Sequence, residues 1–192
     1  MGHELPRRNL LKALPLTAAG LVLAASETSA EQRPVEAGRI LVAYYSRTGN
    51  TAVIARQIRR ATDATLFEIK TETPYPEDYQ ATVDQARRET QSQYLPPLGH
   101  FVADIGRYDT VYLGMPIWGM TAPPVIRSFL RAHDLSGKVV IPFITHGGYG
   151  LGNSIDVLRA HMPDATLRPA FSMEADQERR TLDRVSGWLA EN

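Results

Sequence analysis

Five short apolar runs, each followed by a stretch with helical spacing, leave this chain few ways to fold. The runs are Arg39 to Tyr45, Ala64 to Ile69, Thr110 to Gly114, Lys138 to Ile144 and Thr166 to Phe171. The helical stretches are about Thr51 to Arg60, Tyr79 to Gln91, Pro123 to His133, Gly152 to Met162 and Gln177 to Ala190. Pro123 stands in a first turn, where no N–H is needed. Leu182, Val185, Trp188 and Leu189 share one side of the last helix. The run Lys138 to Ile144 is nearly all apolar, as a strand buried on both faces must be. Strands alternating with helices of this length predict a parallel α/β sheet covered on both sides. Right-handed crossovers make such a sheet doubly wound, and its ligands bind beyond the carboxyl ends of the strands at the switch point. The loops after strands one, three and four are therefore read together.

The loop after strand one carries Ser46-Arg47-Thr48-Gly49-Asn50-Thr51 and opens a helix. Three hydroxyls, an amide and a glycine in six positions suit a phosphate. The helix start supplies N–H groups and the positive end of its dipole, and Gly49 lets the backbone come close. Arg47 either adds charge or is simply solvated. The plainer reading of the segment is a strand-to-helix turn with Thr51 as N-cap. The loop after strand three, Met115 to Pro124, holds Pro116-Ile117-Trp118-Gly119. Trp118 either stacks on a planar heteroaromatic ring or packs as core. The loop after strand four, Thr145-His146-Gly147-Gly148-Tyr149-Gly150-Leu151-Gly152, is dense in glycine and suits close approach to something flat. Tyr149 either covers a ring face or stands exposed, and His146 borders the same place as a candidate proton donor. The cluster Tyr75-Pro76-Glu77-Asp78-Tyr79 reads either as a lid or as a stiff turn into a helix N-terminus.

Residues 1–30 read as a processing segment. Arg7-Arg8 precedes an uncharged, mostly apolar stretch from Ala13 to Ala25, and Thr28-Ser29-Ala30 offers small residues for cleavage. The order resembles a twin-arginine export signal. The stretch is shorter than the roughly 20 residues a bilayer span needs. Residues 31–38 then form a linker and residues 39–192 a single domain. Export of an already folded chain suits a protein that takes up its cofactor in the cytoplasm and then works in the periplasm. The whole chain has 21 basic and 21 acidic side chains; without the leader it has 18 and 19, a net charge of −1. No basic stripe points to nucleic acid, and stable membrane insertion is not expected after processing. The sequence has no cysteine, which excludes disulfides, thiolate metal sites and a cysteine nucleophile. No metal spacing links the five histidines to carboxylates.

One phosphate loop, one aromatic loop and one glycine loop at a single sheet edge add up to a site for a phosphorylated planar cofactor. On Ser46 to Thr51, Pro116-Ile117-Trp118 and Thr145 to Gly152 the chain resembles the flavodoxin-like family, which binds FMN. Tyr75 to Tyr79 and the Glu89 region are similar to a bacterial subfamily of it. The resemblance implies a flavodoxin-like doubly wound five-stranded parallel sheet of order 2-1-3-4-5 in three α/β/α layers; flavodoxin is a standard case of the switch-point rule. It also implies that Ser46, Thr48, Gly49, Asn50 and Thr51 hold the FMN phosphate. Pro116, Trp118 and Gly119 would border the ring, as would Gly147, Gly148 and Tyr149. Gly119 and Met120 stand where the family often has a second aromatic and a glycine.

The function expected is that of an exported FMN-binding redox protein that serves a partner protein or a small-molecule electron acceptor. FMN carries the chemistry, so no side chain is assigned as catalytic. The alternative is an FMN-dependent NAD(P)H quinone, nitro or azo reductase, with room over the ring left by Gly119 and Met120. A cofactor-free binding module on the same scaffold is the third reading.

Overall fold

The computed structural model describes residues 39–174 and 178–191. The expected leader (1–30) and linker (31–38) lie outside the described residues. The elements run β1 (Ile40–Tyr44), α1 (Asn50–Thr62), β2 (Thr65–Glu68), α2 (Tyr79–Gln91), β3 (Thr110–Pro116), α3 (Pro124–Ala132), β4 (Val139–His146), α4 (Ser154–His161), β5 (Thr166–Leu167), β6 (Phe171–Glu174) and α5 (Glu178–Ala190). All strand pairs are parallel, in the order β2-β1-β3-β4-β5, with β6 also beside β4. This is the expected doubly wound order, and it brings the ends of β1, β3 and β4 to one edge.

The fifth strand differs from the expected Thr166 to Phe171. It is broken into β5 and β6, which follow the same neighbour. Leu167 pairs with Val140, and Phe171 pairs with Phe143. Three residues, Arg168 to Ala170, thus face two, Ile141 and Pro142, which is the count of a β-bulge. Pro142 and Pro169 both lack an N–H, so the ladder breaks where the two strands bring prolines together. The strand resumes as β6 at Phe171 and runs three residues beyond the expected end.

Strand alternation sorts the core into two layers. Leu41, Ala43, Val111, Leu113, Met115, Val140 and Ile144 face one side, with Val125, Ile126 and Phe129 of α3 and Leu158 of α4. Ile40, Val42, Tyr44, Tyr112, Ile141 and Phe143 face the other, with Ile54, Ala55 and Ile58 of α1 and Val185 of α5. Residues 140–145 of β4 are buried without interruption, as a strand covered on both faces requires. Gly114 has a steric reason: a Cβ there would lie 2.1 Å from the Phe143 ring, which crosses its position.

Beneath the first layer His133 is 6% exposed. The Val102 N–H donates to its Nε2 at 3.0 Å. Nε2 is therefore unprotonated, and Nδ1–H donates to the Phe129 carbonyl at 2.9 Å. Burial lowers its pKa from 6.5, against a smaller raising effect of the Phe129 bond. Below pH 6.5 the unfolded chain thus binds the proton first, so this residue's contribution to stability falls as pH drops from there towards the lowered folded value. Urea midpoints at pH 7 and pH 5 are expected to differ more in the parent protein than in His133→Gln; an equal difference removes His133 as the cause.

Candidate functional site

The chain leaves β1 through Tyr45 and turns into α1 at Gly49, whose φ is 93°. The Ser46 hydroxyl accepts the N–H groups of Gly49 (3.1 Å) and Ala52 (3.3 Å). Ser46 thus serves the helix start from outside it. Gly49, with no side-chain cap of its own, takes the N-cap position that the plainer reading gave to Thr51. Thr51 is instead 1% exposed, its hydroxyl 2.8 Å from that of Thr145 at the end of β4. One proton bridges the two oxygens; the other is available to an acceptor in the cavity that both residues line. The Asn50 amide donates to the Thr48 hydroxyl at 3.4 Å. Arg47 is held as well as solvated: its Nη1 donates to the Glu77 carbonyl at 3.2 Å, and its guanidinium lies 5.5 Å from the Tyr79 ring centroid.

After β3 the chain makes a two-residue hairpin. Trp118 and Thr121 exchange backbone hydrogen bonds of 3.1 and 3.2 Å around Gly119 (φ 57°) and Met120 (φ 64°). Two left-handed central residues define the type I′ turn. Gly119 takes that conformation freely; Met120 bears strain of about 1 kcal/mol. The turn is pinned from the α4 side, since the Asn153 N–H donates to the Met120 carbonyl at 3.0 Å. The Trp118 ring meets Tyr45 edge-on (centroids 5.4 Å, 89°) and Tyr75 likewise (4.9 Å, 84°). Two tyrosines thus pack against Trp118, as the core reading has it, and the residue also lines the cavity. Tyr75 is fixed in turn by Glu89, a buried carboxylate that accepts the phenol at 2.6 Å and the Gln85 amide at 2.8 Å. Burial and then the Glu89 bond raise the Tyr75 pKa, and burial raises that of Tyr45, so both phenols stay neutral.

The glycine loop opens with His146. The Gly148 N–H donates to its Nδ1 at 3.1 Å, so Nε2–H points to the Ser172 hydroxyl at 3.2 Å. Both ring nitrogens are engaged in this neutral form. Tyr149 is 82% exposed and covers no other ring among the described residues.

A cavity of about 450 Å³ joins these loops. Of the residues singled out in the sequence, Ser46, Arg47, Thr48, Asn50, Thr51, Pro116, Ile117, Trp118, Gly119, Thr145, His146 and Gly147 line it. Gly49, Gly148, Tyr149 and Gly150 do not. Tyr79 and Thr121, from segments already singled out, also line it, but one wall was not foreseen: Thr82, Val83, Ala86, Arg87, Thr90 and Gln91 of α2. Their spacing is that of one helix face, and its small side chains were the available signal. The segment Tyr75 to Tyr79 forms the turn into the N-terminus of α2. Asp78 caps α2 by accepting the Ala81 N–H at 2.7 Å, while Glu77 and Tyr79 touch Arg47. Two arginines and no Asp or Glu line the cavity among the described residues, so it suits an anion. The same residues fit FMN: hydroxyls and a helix N-terminus for a phosphate, and a braced indole for a flat ring. Among the described residues no His, Asp or Glu cluster could hold a metal, and no helix is long and apolar enough to cross a membrane.

A parallel α/β sheet with its cavity at the ends of β1, β3 and β4 defines the class, a doubly wound nucleotide-type fold. The flavodoxin family model matches residues 39–192, and the chain belongs to that family. The solved structures similar to it include a Bacteroides uniformis protein assigned as a flavoprotein, 30% identical over 79% of this chain and 99% of that one, with a TM-score of 0.69. A Bacteroides eggerthii protein with the same assignment is 33% identical over 80% and 96%, also at 0.69. A Lactobacillus acidophilus flavoprotein solved in complex with FMN shares the fold, at 22% identity over 77% and 98% with a TM-score of 0.64. No curated protein matches the chain.

Proposed function

We propose that this chain holds FMN in the cavity and passes electrons through it. The observation that carries the reading is a single cavity with a hydroxyl loop at the N-terminus of α1, a braced Trp118 and two arginines without a lining carboxylate. Ser46 preorganises the helix start, and Thr48, Thr51 and Arg47 face the phosphate end. Trp118 and the hairpin flank the ring. FMN supplies the redox chemistry when bound, and the protein orients it and sets the charge around it. Similarity to flavoproteins, one of them solved with FMN, supports the same cofactor here. The leader then sends the folded, loaded protein out of the cytoplasm. Recovery from the periplasm of a chain beginning at Glu31 supports that route, and an unprocessed cytoplasmic chain contradicts it.

The leading form is a carrier that serves a redox partner protein or small acceptor. A reductase is the second reading, favoured by the extension of the cavity along α2 past Val83, Ala86 and Arg87. Anaerobic NADPH separates them. The FMN-loaded carrier is expected to stay yellow for minutes and to bleach with dithionite; prompt bleaching by NADPH establishes the reductase.

A further inference from the structure

Arg127 is an incompletely paired cation close to the cavity. It stands in the first turns of α3, where the helix dipole is already positive and no acidic residue answers it. Its Nε is buried with no hydrogen-bond partner, and no carboxylate pairs with it among the described residues. Arg127 is only partly buried, but the enclosed Nε leaves one donor unmet, which a group outside the chain would satisfy. Burial lowers the Arg127 pKa, yet a guanidinium remains a cation at neutral pH.

Among the described residues the one side chain it reaches is Thr121, whose Oγ1 accepts from Nη2 at 3.0 Å. Thr121 is 7% exposed and lines the cavity. A guanidinium only donates, so Thr121 is the acceptor in this bond and keeps its own proton for another atom. No acceptor for that proton is found among the described residues. Donation from a cation polarises the hydroxyl and makes it a stronger donor.

We propose that Thr121, backed by Arg127, donates a hydrogen bond to an acceptor on the polar edge of the bound flavin and strengthens the binding of reduced FMN more than that of oxidised FMN. The inference rests on the FMN reading above. Uptake of two electrons and one proton leaves the flavin with one additional negative charge. A charge-backed donor therefore gains more from the reduced form than from the oxidised one. Thr121 and Arg127 are positioning and tuning residues here, and no proton leaves either of them.

The test is the ratio of FMN affinities in the two redox states, measured on the full chain by oxidised-FMN titration and by potentiometry with dithionite as reductant. Thr121→Val keeps the hairpin, since the bonds between Trp118 and Thr121 are backbone bonds. It is expected to lower the reduced-to-oxidised affinity ratio about tenfold, a fall of about 30 mV in a two-electron midpoint. Thr121→Ser is expected to restore the parent value. Arg127→Met is expected to move the midpoint the same way, and the double variant little beyond either single change, because the two act as one unit. An unchanged ratio in a folded Thr121→Val protein, or equal weakening of both forms, overturns the proposal alone. A parent protein that takes up no FMN overturns the reading of the site, and this proposal with it.

Discussion

Replacing Thr48 and Thr51 together by alanine is expected to weaken FMN binding by about 3–6 kcal/mol, taking each hydroxyl-to-phosphate bond as roughly 1.5–3 kcal/mol. That is a hundred-fold loss of affinity at the low end. Both residues line the cavity beside the start of α1. Thr51 has a second task, because its hydroxyl meets that of Thr145, which is only 3% exposed. Its loss strands a buried hydroxyl and lowers the stability of the unliganded protein by about 1–3 kcal/mol. The two effects separate on the single variants. Thr48→Ala is expected to lose affinity with little change in urea midpoint, and Thr51→Ser to keep both. Isothermal titration with FMN, set beside urea melts without it, checks each. Unchanged affinity in the double variant sinks the phosphate assignment.

Gly152→Ala is expected to be the most damaging single methyl group near the site. Gly152 has a φ of 53°, and a Cβ there would lie 1.9 Å from the Met120 carbonyl oxygen. A backbone atom cannot swing aside as a side chain can, so the Trp118–Thr121 hairpin must move. The left-handed conformation costs about 1 kcal/mol for alanine and the displacement about 1–3 more. For a domain of this size roughly 3 kcal/mol lowers the melting temperature by about 6–12 °C. The same movement shifts Trp118, so FMN affinity is expected to fall at temperatures where the protein is still folded. A Gly152→Ala protein that melts and binds FMN like the parent contradicts the tight contact between the hairpin and the start of α4.

The parts of this architecture that can be read from sequence are those written over short distances. The run from Ile40 to Ile58 contains a strand, a loop with Gly49 and a helix, and each signals its own conformation. The apolar run of β4 announces burial on both faces in the same way. The break at Pro169 was missed because it takes two prolines, and Pro142 comes next to it only once the strands are paired. Trp118 left two readings open for a similar reason. The rings that brace it, Tyr45 and Tyr75, come from other loops, and Tyr75 is held by Glu89, fourteen residues further on. The α2 wall is a question of which neighbour a helix face meets, and spacing alone identifies the face but not the neighbour. Thr121 lay within a loop already singled out. Its weight comes from Arg127, a residue that a sequence offers as one more surface charge.

The account stands on FMN, and the most direct measurement is titration of FMN into the purified, flavin-free chain, followed by visible absorption and flavin fluorescence. The expected result is a saturable shift of the flavin bands at one FMN per chain, with the fluorescence quenched beside Trp118. A chain that leaves the free-flavin spectrum unchanged at high micromolar FMN, while its circular dichroism shows a folded α/β protein, contradicts the assignment of the cavity.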